Sequence, residues 1–96
     1  MPLSARIVRH IRKEFPEDQS ETVAQLLEEV IEPITEGNVM FQERVAAAAV
    51  ICSQGDLDEF FAVLEEVRAD WRDVLVAAGL ADAQWKQLIN EKFGLP

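Results

Sequence analysis

The chain is poor in the residue types that most metal, disulfide and catalytic sites need. Its 96 residues include one Cys, one His and no Tyr. A single cysteine, Cys52, cannot form an internal disulfide, and one His with one Cys supplies too few ligands for a structural zinc site. The sequence contains no glycine-rich phosphate loop and no Gly-x-Ser-x-Gly nucleophile motif. We therefore expect no cofactor, no metal ion and no catalytic residue.

Long apolar runs are also missing, and glycine and proline are few. No apolar run reaches the roughly 18 residues of a transmembrane helix, so we expect no membrane partner. Four Gly and four Pro exclude a fibrous or low-complexity chain. Hydrophobic residues still make up 49% of the sequence, enough apolar surface to offset the entropy lost on folding. This predicts one helical domain over residues 1–96, and the absence of an apolar signal core favours a cytoplasmic location.

Positive charge is scarce and concentrated at one end. The chain holds 18 Asp and Glu against nine Lys and Arg, a net charge of −9. Residues 1–13 carry Arg6, Arg9, Arg12 and Lys13 without an acid, a charge of +4, and the remainder carries −13. We expect no direct nucleic-acid partner, because the chain as a whole repels phosphate. The basic segment is either a helix docked on the acidic body or a mobile arm contacting a partner through His10 and the arginines.

The spacing of apolar residues is helical along almost the whole chain, and no useful length alternates with period two. Short connectors between consecutive helices imply antiparallel neighbours. The fold class predicted is therefore all-α, an irregular bundle of five or six short helices with antiparallel helix-turn-helix neighbours. Each helix is predicted to start and stop at one pair of signals. In chain order, the pairs are Ser4 with Pro16, residues 18–21 with Pro33, Asn38 with Gly55, Asp56 with Gly79, and Asp82 with Gly94.

Two of these segments carry more specific expectations. The third helix contains four consecutive alanines at 46–49, and small side chains on an apolar helix predict a central position in the bundle. Residues 57–78 are either one long helix or two shorter ones, and the Asp-Trp-Arg-Asp sequence at 70–73 favours a break at Asp70. Leu27, Val45 and Leu64 fall on the apolar stripes of three helices and are predicted core residues.

Few side chains form a pattern that could carry chemistry. His10 and Glu14 lie at i and i+4 on a helix, a spacing that can bind a metal, although a lone histidine is usually a surface residue. Cys52 has no cation within one helical turn to activate it, so we expect a buried, unreactive thiol. The paired acids Glu28-Glu29 and Glu65-Glu66 belong to the predicted solvated faces of their helices.

Part of the sequence resembles a group of other proteins. From Arg44 to Asp82 the chain reads Arg-Val-x-Ala-Ala, then Gly-Asp-Leu, then Asp-Trp-Arg-Asp-Val-Leu-Val-Ala-Ala-Gly-Leu-Ala-Asp. This pattern is similar to a stretch of short bacterial all-helical proteins of uncharacterised function. The resemblance covers less than half of the chain and implies a bacterial, cytoplasmic helical domain. It implies no activity, cofactor or catalytic residue.

The aromatic residues point to an interaction surface. Trp71 and Trp85 fit either the core or an exposed anchor for a partner, since tryptophan is enriched at binding hot spots. We predict a non-catalytic protein-interaction or accessory domain whose acidic helical surface, with an aromatic anchor, contacts a protein partner with basic features. Alternatives are an immunity-type or nucleic-acid-mimicking inhibitor, a homo-oligomer, and a small enzyme using surface carboxylates. The predicted partner-binding residues are Trp71, Arg72, Trp85, Arg6, Arg9 and Arg12.

Overall fold

The computed structural model describes residues 3–95, and within that range the regular structure consists of five α-helices and no strand. Short connectors join most of the helices, so the predicted all-α bundle is confirmed. The predicted core residues Leu27, Val45 and Leu64 are all buried. The helices are α1 (Ala5–Glu14), α2 (Glu17–Thr35), α3 (Val39–Ser53), α4 (Leu57–Ala78) and α5 (Trp85–Phe93).

The alanine-rich helix α3 lies at the centre, as predicted. It packs against all four of the other helices, and most extensively against α4. Val45, Val50 and the four alanines between them are fully buried. Because methyl side chains let neighbouring backbones approach closely, this short apolar helix can be surrounded on most sides.

The basic first helix is docked on the body of the protein. Ile7 and Ile11 are completely buried, and Phe15 is nearly so. The Phe15 ring also meets the ring of Phe60 edge-on, with 5.8 Å between the ring centroids. Of the two interpretations of this segment, the docked helix is therefore confirmed, and the mobile arm is wrong for the residues of α1.

Helix α2 is longer than the sequence predicted at both ends. It begins at Glu17, directly after Pro16, and it continues through Pro33 to Thr35. Pro33 lacks the N–H that would bond to the carbonyl of residue 29, but only one ladder bond is lost, and the residue is exposed. The helix ends where Glu36 adopts a left-handed conformation, with its N–H bonded to the Glu32 carbonyl. The prediction that Pro33 closes the helix was wrong.

The break expected within residues 57–78 is present. Asp70 has φ −160° and ψ 98°, which is extended rather than helical. Element α4 therefore consists of two helical segments joined at a kink. Its carboxylate accepts a hydrogen bond from the Arg72 N–H at 3.1 Å, as an N-cap does. The expected caps Asp56 and Asn38 likewise accept bonds from the first turns of α4 and α3.

Two other predicted helix ends differ in detail. Asp82 accepts from the Gln84 N–H at 3.0 Å, but the helix itself begins at Trp85. At the end of α3, Gln54 and Gly55 are both left-handed. A Cβ on Gly55 would lie 2.8 Å from the Glu14 carbonyl oxygen, so this turn requires glycine both for its φ angle and for the close approach of α1.

Candidate functional site

Arg6 lies in the interior of the molecule and not on its surface. The sequence grouped it with Arg9 and Arg12 as a partner contact, but its guanidinium forms a two-pronged salt bridge with the Glu43 carboxylate, and the Nε–Oε2 distance is 2.8 Å. The third nitrogen, Nη1, donates to the Asn90 side chain at 2.6 Å and to the Gly94 carbonyl at 3.0 Å. Arg6 therefore connects α1 to α3 and α5, and its assignment as a partner contact is corrected.

The carboxylate of Glu43 has a second donor. The Ser4 hydroxyl donates to Glu43 Oε2 at 2.6 Å, so Ser4 occupies the N-cap position of α1 without making the expected cap bond. The hydrogen bonds from Arg6 above all, and then from Ser4, hold the pKa of Glu43 below its usual range despite partial burial. The bond to Glu43 also raises the pKa of Arg6. Both groups are charged at neutral pH and serve the fold.

Arg9 and Arg12 are exposed on α1, as predicted. Arg9 Nη2 donates to the Phe93 carbonyl at 3.3 Å, which brings this arginine next to the end of α5. His10 also faces α5, with its ring centroid 4.4 Å from that of Phe93, and its Nε2 lies 3.1 Å from Glu14 Oε1. Within residues 3–95, no three His, Cys, Asp or Glu side chains come close enough together to hold a metal ion.

Trp71 and Trp85 are both half-buried, between the core and the solvent. The Trp71 ring packs edge-on against Phe41 with the centroids 4.8 Å apart, and the Arg72 guanidinium lies 5.3 Å from the Trp71 centroid. The Trp85 ring is approached by two cations, Arg44 at 4.9 Å and Lys86 at 5.6 Å. Each tryptophan thus has one part packed on the protein and one part beside a cation.

Residues at the start of α3 contact each of the two tryptophans. Phe41 contacts Trp71, and Arg44, one turn later, covers Trp85 while its Nε donates to the Leu80 carbonyl at 2.8 Å. Met40 is 53% exposed and lines, with Trp85, a groove of about 230 Å³. We call the four residues Met40, Phe41, Trp71 and Trp85 the aromatic surface.

Charges of both signs surround the aromatic surface. Arg44, Arg72 and Lys86 lie over the indole rings. Asp70 and Asp82 are exposed at the helix starts that precede Trp71 and Trp85, and Asp73 is exposed on the first turn after Asp70. These cations and carboxylates are equal in number, so the net charge of −9 is carried by other parts of the chain.

The sequence identified part of this surface and missed the rest. Trp71, Arg72 and Trp85 were predicted partner contacts, and they do lie at the surface. Met40, Phe41, Arg44 and Lys86 were not among the predicted partner contacts. Their roles depend on how α3 meets the second half of α4 and α5, which helical spacing within one segment does not reveal.

Cys52 is less enclosed than the sequence suggested. The thiol is half-buried, and its Sγ lies 3.9 Å from the Val74 carbonyl oxygen. Burial first, and then the nearby carboxylate of Glu66, raises the pKa of the Cys52 thiol. The expectation of a buried cysteine was wrong, but the raised pKa keeps the sulfur in its protonated, weakly nucleophilic form.

No protein-family model matches the chain, and no curated protein or solved structure shows detectable similarity to it. The resemblance of residues 44–82 to short bacterial helical proteins therefore stays a prediction. Among the helices of residues 3–95, none is long and apolar enough to cross a lipid bilayer.

Proposed function

We propose that this protein is a non-catalytic interaction domain that binds a protein partner through the aromatic surface. The observation that carries the proposal is the arrangement of Met40, Trp71 and Trp85 at one end of α3. Trp71 packs against Phe41, and the neighbouring residue Met40 shares a groove with Trp85, so α3 connects these exposed and half-buried apolar side chains. Rigid aromatic side chains with a polar rim are the typical composition of a binding hot spot.

The cations over the indole rings support a preorganised surface. Arg44 is held by its hydrogen bond to Leu80 and by the Trp85 ring, so it loses little side-chain freedom when a partner binds. The groove beside Met40 and Trp85 is also lined by the polar side chains of Arg6, Glu43, Lys86 and Asn90, so it suits a partner side chain with an apolar stem and a polar end. The partner carries its basic residues outside this contact, because the charges around the aromatic surface balance and the net charge of −9 lies on other parts of the chain, where it attracts a basic surface during encounter.

The experiment is affinity capture from the cells that produce the protein, followed by mass spectrometry. The bait is either the wild-type protein or Met40→Ser, which removes the most exposed side chain of the aromatic surface without opening the core. Val76→Ser is the matched control, since Val76 is 67% exposed at the far end of α4. We expect a partner retained by the wild type and by Val76→Ser and lost from Met40→Ser. A partner retained equally by all three would contradict the proposal.

An inhibitor that mimics nucleic acid is the second candidate, and α2 favours it. This helix carries six carboxylates and no Lys or Arg, a density of negative charge that could occupy the phosphate-binding surface of another protein. Under this alternative, the double variant Glu21→Gln/Glu29→Gln loses the partner and Met40→Ser keeps it. Capture with these two baits therefore separates the two candidates.

A further inference from the structure

A groove between α1 and the end of α5 is lined by positive charge. Arg9, Lys13 and Lys92 border it together with His10, Phe93 and Gly94, and no carboxylate is among its lining residues. Its volume is about 330 Å³, at the small end of the range of ligand pockets. Three of the nine Lys and Arg residues of a chain with net charge −9 thus meet at one place.

These three cations have no acidic partner in the part of the chain that the structure describes. Within residues 3–95, the side chains of Arg9, Lys13 and Lys92 form no salt bridge, whereas the buried Arg6 and the exposed Arg68 each pair with a glutamate. Arg9 donates from Nη2 to the Phe93 carbonyl, and its other N–H groups have no acceptor among residues 3–95. Like charges held close together repel each other. An anion between them would remove that repulsion and accept their free N–H groups.

We propose that this groove binds the phosphate or diphosphate group of a small molecule. The Arg9 guanidinium offers a planar pair of donors that matches two phosphate oxygens, and Lys13 and Lys92 offer mobile ammonium groups beside it. The backbone supports the assignment: the contact of Arg9 with the Phe93 carbonyl orients the guanidinium, and Gly94 lines the groove where a Cβ would lie 3.5 Å from Arg9 Nη2. This site is separate from the aromatic surface and independent of the proposed function.

The net negative charge of the protein does not prevent such binding. At physiological ionic strength, charges beyond a screening length of about 8 Å act weakly, whereas the groove cations contact the ligand directly. The carboxylate on α1 closest to the groove belongs to Glu14, which lines the adjoining groove with His10 and Lys92 and lies 3.1 Å from His10. Because the attraction between the groove cations and an anion is electrostatic, binding is expected to weaken steeply with added salt.

The test is a titration of the full chain with inorganic phosphate and, separately, with pyrophosphate, followed by amide NMR at constant ionic strength. We expect the amide signals of Arg9, Phe93 and Gly94 to shift and saturate. Replacing Arg9 or Lys92 by Gln should raise the dissociation constant about tenfold, the effect of losing one charged hydrogen bond. Tighter binding of pyrophosphate would assign a diphosphate ligand, and equal binding a monophosphate.

Arg68→Gln is the matched control, because it removes the same charge from an exposed site on α4. Its dissociation constant should equal that of the wild type. The proposal is contradicted if neither anion produces saturable shifts, or if Arg68→Gln weakens binding as much as Arg9→Gln. A thermal melt of each variant without ligand shows whether the fold is intact, and a conservative Arg9→Lys variant should recover part of the affinity.

Discussion

The salt bridge between Arg6 and Glu43 provides the sharpest test of how the first helix is held. Changing Glu43 to Gln leaves the Arg6 guanidinium charged and buried without its counter-ion, and changing Arg6 to Gln removes its contacts to Glu43, Asn90 and Gly94 at once. Breaking one side of a fully buried ion pair costs about 3–5 kcal/mol. Because the Glu43 side chain is 18% exposed, water can reach it, and we expect a loss of about 2–3 kcal/mol for each single variant.

The assay is urea unfolding at neutral pH of the wild type, both single variants and the double variant. We expect the double variant to be more stable than the sum of the single losses predicts, since each partner is costly mainly when the other is left alone. Arg9→Gln is the control on the same helix. Its side chain is exposed, so its effect should stay within about 0.5 kcal/mol. Equal losses for Arg6→Gln and Arg9→Gln would refute the reasoning.

The same pair predicts a pH dependence. The folded-state pKa of Glu43 is lowered by Arg6 and Ser4, so its contribution to stability is fully present above the unfolded-state pKa of about 4.3. It is lost progressively as the pH falls through the lower folded-state pKa. The stability difference between the wild type and Glu43→Gln should therefore narrow as the pH is lowered from about 7 towards 3. A difference that is independent of pH would contradict the assignment.

Three further predictions concern the core, the proline and the cysteine. Leu27→Ala, at a fully buried site on α2, should cost about 2–5 kcal/mol in urea unfolding, whereas Glu65→Ala should cost less than about 0.5 kcal/mol. Pro33→Ala should raise the free energy of unfolding, because it restores a helix hydrogen bond at an exposed position, and unchanged or lower stability would contradict this. Cys52 should react with a thiol reagent more slowly than a free model thiol at neutral pH, since its pKa is raised, and a rate equal to that of the model thiol would contradict it.

Much of the fold could be predicted because it depends on short-range patterns. Helical spacing identified Leu27, Val45 and Leu64 as core residues, and Asn38, Asp56 and Asp70 identified helix starts through their side-chain oxygens. The prediction that α2 ends at Pro33 was wrong because the local cost of a proline near the end of a helix is small compared with the packing energy of the buried residues beside it. Local rules were therefore reliable for element type and less so for boundaries.

The site was harder to predict because it depends on which helices meet. A basic residue at position 6 has the same local signature as one at position 9. Only the approach of α3 and α5 distinguishes the buried Arg6 from the exposed Arg9. Similarly, nothing within the sequence of α3 indicates that Phe41 meets Trp71 or that Arg44 covers Trp85. The sequence identified each tryptophan separately. Recognising the aromatic surface that contains both of them requires the tertiary structure.

The most direct test of the proposed binding surface is photo-crosslinking in the cells that produce the protein. A photoreactive amino acid replaces Met40 in one variant and Val76 in another, so that both probes are exposed but only the first lies on the aromatic surface. We predict one covalent adduct with a second protein from position 40 that is absent from position 76. No adduct at position 40, or the same adduct from both positions, would contradict the account.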